Sequence, residues 1–61
     1  MMTLPEAEAY LADDIEPDGG LFSLGRYLAF TPRCDEITLD GRFTLQDLQA
    51  IVVYMEGHRN G

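Results

Sequence analysis

The sequence predicts a small α+β domain in two layers: a helix, a two- or three-stranded antiparallel sheet, and a second helix. Three observations carry this. Leu4, Ala7, Leu11 and Ile15 recur at three- and four-residue intervals behind a helix-start signal. Residues 36–39 alternate polar and apolar ahead of Asp40-Gly41, and residues 45–55 then return to helical spacing.

The first helix is expected over about residues 4–15. Thr3 and Glu6 have the spacing of a capping box, and Pro5 falls in the first turn, where a missing N–H costs nothing. Pro17 disfavours helical geometry at Glu16 and so ends the helix near Asp14 or Ile15. Residues 16–20, Glu-Pro-Asp-Gly-Gly, form a loop by composition. Residues 21–24 are apolar and equally compatible with a short strand or a packed loop. Tyr27, Leu28 and Phe30 favour a strand over about 26–31, and Pro32 with residues 33–35 makes a turn. The strand at 36–39 places Ile37 and Leu39 toward the core, and Asp40-Gly41 is a hairpin signal that would bring Arg42 and Phe43 back as a short return strand. The second helix, about 45–56, has Thr44 as N-cap and Asp47 at the third helical position. Its buried stripe reads as Leu45, Leu48, Ile51, Val52 and Met55, with Gly57 as C-cap.

Length limits what such a domain can hold. At 61 residues it buries only about 60% of its unfolded surface, and its single cysteine, Cys34, allows no internal disulfide. Self-association as a homodimer, or docking on a host protein, would supply the missing burial.

Charge is the strongest compositional signal. Eleven carboxylates face four arginines and no lysine, for a net charge of −7. Residues 1–25 contain Glu6, Glu8, Asp13, Asp14, Glu16 and Asp18 and no base. That balance is the reverse of a nucleic-acid footprint and is repelled by anionic membranes. A basic partner is expected instead, of the kind that itself binds nucleic acid. The six carboxylates would be its contact surface, spaced like a row of phosphates. No basic and apolar leader opens the chain, and the longest apolar run, residues 50–55, is too short to cross a bilayer, so a cytoplasmic location is expected.

Catalytic and metal chemistry are thin. His58 and Cys34 are distant in sequence, and no carboxylate pair comes with an apolar pocket to tune it. Residues 36–47 partly fit a calcium-binding EF-hand loop, with Asp40 at the fifth position, Gly41 at the sixth and Phe43 at the eighth. Glu36 at the first position, Thr38 at the third and the short Asp47 at the twelfth depart from it, and a hairpin accounts for the same residues with fewer exceptions. The expectation is a protein that is not an enzyme and uses no cofactor or metal.

The second helix is apolar nearly all round. With one stripe in the core, Ala50, Val53 and Tyr54 are left to point outward and meet another subunit or a target. In size, acidity and lack of catalytic motifs the chain resembles the small inhibitors that bacteriophages direct against host defence proteins, anti-CRISPR proteins included. The resemblance is one of composition. It implies an inhibitor that occupies a basic groove as a nucleic-acid mimic; the alternative is a homodimeric interaction module working through its C-terminal helix.

Overall fold

A computed structural model describes residues 2–34 and 36–58. The order is α1 (Leu4–Tyr10), a 3-10 turn (Ala12–Asp14), β1 (Leu21–Ser23), β2 (Tyr27–Phe30), β3 (Ile37–Asp40) and α2 (Leu45–His58). The chain is therefore the expected α+β domain, with an antiparallel sheet in the order β1-β2-β3.

α1 begins as its residues dictate. The Glu6 amide donates to Thr3 Oγ1 at 3.3 Å, and the Thr3 amide donates back to Glu6 Oε1 at 2.8 Å. The α-helical part stops at Tyr10, short of the expected 14 or 15. Asp13 and Asp14 come next, with no base in the last turn, and carboxylates there oppose the helix dipole. The chain tightens instead into a 3-10 turn, with the Asp14 amide donating to the Leu11 carbonyl at 2.8 Å.

The third strand of the sheet is residues 21–23, where the sequence allowed a strand or a packed loop; Arg42 and Phe43, the other place it allowed a third strand, are in none. β1 pairs with β2 through Leu21↔Phe30 and Ser23↔Leu28, and β2 with β3 through Leu28↔Leu39 and Phe30↔Ile37. Gly41, at φ +119°, ends β3 instead of turning it back. An added Cβ there would lie 3.2 Å from the Arg26 Cβ, so the position demands glycine on two counts. Of the turn expected at 32–35, Asp35 lies outside the described residues.

Leu21, Leu28 and Phe30 share the inner face of the sheet and join Ala7, Leu11, Ala50, Ile51 and Tyr54 in one core. Leu39 sits on that face too but stays 37% exposed, against the expectation of a core position. β3 is an edge strand, and the helices do not reach across it. The two helices run antiparallel: Tyr10 at the end of α1 meets Asp47 at the start of α2, and Leu4 meets Gly57. Gly57 is not the C-cap, since α2 continues to His58. A Cβ at position 57 would come within 2.8 Å of the Leu4 methyls, so glycine serves close helix approach. No helix among the described residues is long and apolar enough to cross a membrane.

Candidate binding surface

The rotation of α2 about its axis decides which of its apolar residues are available, and Asp47 fixes that rotation. Asp47 lies in the first turn of α2 and forms a capping box with Thr44. Its amide donates to Thr44 Oγ1 at 3.0 Å, and its Oδ2 accepts from the Thr44 amide at 2.8 Å. The same carboxylate accepts from Tyr10 Oη at 2.6 Å and from the Arg26 guanidinium, which also lies 4.6 Å over the Phe43 ring. These donors, the tyrosine hydroxyl first and then Arg26, hold the buried Asp47 carboxyl far below the usual carboxylate range. In return the hydrogen bond to Asp47 raises the Tyr10 hydroxyl above its ordinary value and stabilises the charged Arg26.

Seven residues on, Tyr54 anchors the same face. Its hydroxyl donates to the Gly19 carbonyl at 2.6 Å, and its ring meets Phe30 edge-on at 6.3 Å and stacks on His58 at 4.2 Å. Burial, with the nearby charges of Glu8 and Asp18, pushes its hydroxyl above the ordinary range. The inward stripe of α2 is thus Asp47, Ala50, Ile51 and Tyr54. The assignment of Ala50, Val53 and Tyr54 to an outward contact is corrected accordingly: Ala50 and Tyr54 are core, and Val53 is half-buried. The expected buried stripe fails in the same way. Ile51 is buried and Met55 partly so, but Leu45 is 72% exposed, Val52 53% and Leu48 39%. Relative to the sequence reading, the helix is turned by roughly a third of a turn.

What this leaves on the surface is a stripe at helical spacing. Leu45, Leu48 and Val52 stand on the outer side of α2 and, with Met2, Gln49, Val53 and Glu56, line a shallow apolar groove. A second, more polar depression adjoins it, shares Met2, Leu45 and Gln49, and extends to Glu6 and Tyr10 of α1. Other exposed apolar side chains, Phe22 and Tyr27, lie on the outer face of the sheet in edge-to-face contact at 6.1 Å. The signal that could have identified the outer stripe is Asp47. A capping-box carboxylate at the third helical position, followed by Ala50, Ile51 and Tyr54, marks a stripe as regular as the apolar one at 45, 48, 52 and 55.

The six N-terminal carboxylates are not one uniform row. Glu6 is held by Thr3, whose backbone and hydroxyl groups keep its carboxyl below the usual range. Asp18 Oδ1 accepts from the Gly20 amide at 2.9 Å and shapes the loop. Glu8 lies half-buried, with Oε2 3.5 Å from His58 Nε2. Asp13, Asp14 and Glu16 carry no side-chain hydrogen bond among the described residues. His58 belongs to the last turn of α2 and not to a frayed tail, and Cys34 is an exposed thiol. Asp47, the last position of the EF-hand spacing, is committed to Tyr10 and Arg26. Among the described residues no group of three or more His, Cys, Asp or Glu side chains is placed to hold a metal ion. No protein family, curated protein or solved structure matches the chain.

Proposed function

We propose that this domain is a small acidic protein-binding inhibitor that docks on a basic protein through the outer face of α2. The observation that carries the reading is the stripe Leu45, Leu48 and Val52, exposed on a helix whose opposite side is fully packed. Full burial of such a side chain is worth roughly 1.5–3 kcal/mol, and a partner would gain the part of it still exposed, most at Leu45 and least at Leu48. A helix clamped at one end by Asp47 and at the other by Tyr54 presents them rigidly, so little entropy is lost on docking. The charge of −7 supplies attraction toward a basic surface, and of the six N-terminal carboxylates Asp13, Asp14 and Glu16 carry no side-chain hydrogen bond among the described residues.

This reading joins the two suggested by sequence: the acids attract, and the apolar face holds. A pure nucleic-acid mimic has weaker support, because Glu6 and Asp18 already serve the helix cap and the loop. Affinity capture from the native host tests the proposal, with Leu48→Gln/Val52→Gln in one bait and Asp13→Asn/Asp14→Asn/Glu16→Gln in another. A partner retained by the native chain should be lost with the first bait and captured more slowly with the second. Undiminished capture by the first would refute docking on α2.

A further inference from the structure

We infer that the occupant of the α2 face is a basic amphipathic helix, lying along the groove with leucine-like anchors between Leu45, Leu48 and Val52 and with arginine or lysine at its margins. The inference rests on the reading of this face as the contact surface and adds the form and charge of what binds it. Form follows from the backbone. Within α2 the N–H and C=O groups are bonded to one another, so an extended peptide laid on this face finds no ladder to join and gains no main-chain bonds from docking. A helix brings its backbone already satisfied and offers side-chain ridges that fit the spaces between those of α2. From Leu45 to Glu56 the face runs about 16 Å, enough for three turns of a partner helix.

Charge follows from the rim. Glu56 lines the groove, Glu6 lines the adjoining depression, and no basic side chain lines either among the described residues. A second copy of this chain would bring the same two glutamates, within its own net charge of −7, to the contact. Like charges directly opposed penalise that occupant, whereas an arginine-flanked helix meets the Glu56 carboxylate in a groove that no basic side chain lines among the described residues. The groove is lined mostly by apolar side chains, Leu48, Val52 and Val53 among them, and takes aliphatic anchors there, with Gln49 as its polar donor.

Fluorescence anisotropy with helix-stabilised, labelled peptides tests this directly. One peptide carries leucines at three- and four-residue spacing flanked by arginines, a second has glutamates in place of the arginines, and a third has serines in place of the leucines. The arginine–leucine peptide should bind the native chain, and Leu48→Gln/Val52→Gln, which leaves the charge unchanged, should weaken it by at least about tenfold. The glutamate and serine peptides should bind at least about tenfold more weakly than the first. Equal binding of the arginine and glutamate peptides would overturn the basic occupant while leaving the α2 face as the contact. Binding of the first peptide that is indifferent to Leu48→Gln/Val52→Gln would remove the face itself, and with it the proposed function. Absence of binding by all three overturns the helical occupant. Sedimentation equilibrium supplies the last outcome: a monomer is expected, and a dimer dissolved by Leu48→Gln/Val52→Gln would make the second copy the occupant.

Discussion

Asp47 is buried with its charge, and the structure shows what that requires. Tyr10, Arg26 and the Thr44 amide supply three donors to one carboxylate, so the ionised form is better solvated by the protein than a free side chain is by water. Arg26 remains 35% exposed, and solvent therefore screens part of this pair. Asp47→Asn, which keeps the shape and removes the charge, should cost about 2 kcal/mol in denaturant unfolding. The pH dependence has a definite sign. Because the folded carboxyl lies below its unfolded value, its contribution is complete above the ordinary carboxylate range and is lost as pH falls through and below about 4. Melting temperatures of the native chain should drop over that range, and those of Asp47→Asn should drop less. Tyr54 behaves in the opposite way. Its hydroxyl is raised in the folded state, so its contribution is complete below about pH 10 and is lost as pH climbs through the folded value. Tyr54→Phe should cost about 1 kcal/mol near neutral pH, because the Gly19 carbonyl loses its donor, and should flatten the alkaline limb of the stability curve.

At the scale of elements, α2 has two apolar sides and only one is structural. Ala50→Gln should destabilise by more than about 2 kcal/mol, since a fully buried alanine has no space for an amide. Val52→Gln should shift stability by less than about 0.5 kcal/mol. Thermal melts of both variants check the rotation of the helix without reference to any partner, and comparable losses from both would show that α2 is seated differently. This is also where reading from sequence reached its limit. The start of α1, the strand at 27–30, the Thr44 cap and the existence of α2 were all legible, because local pattern and capping chemistry dictate them. The face of α2 was not: positions 45, 48, 52 and 55 and positions 47, 50, 51 and 54 both make regular stripes. Hydropathy favours the first, whereas two polar anchors far apart in sequence, Arg26 to Asp47 and Tyr54 to Gly19, select the second. Long-range bonds of that kind have no local signature. The early end of α1 was partly legible, because the aspartates that tighten it are plain in the sequence.

For the whole molecule, small size and acidity meet in one design. In this chain of 61 residues the described part has a core of eight buried apolar side chains and keeps an apolar stripe in water, an arrangement that a partner would complete. Under the proposed docking, its net charge of −7 would make association with a basic protein fast at low salt and slower as salt rises, chiefly through the on-rate. Stopped-flow association of the captured partner should therefore slow with added salt, while Leu48→Gln/Val52→Gln should act on dissociation. Docking on the outer face of α2 can be read from methyl NMR spectra of the chain titrated with that partner. The largest shifts should fall at Leu45, Leu48 and Val52, with Leu21 and Leu28 in the core little changed. Shifts confined to the Phe22–Tyr27 face of the sheet or to residues 13–18, with the α2 methyls unmoved, would contradict it.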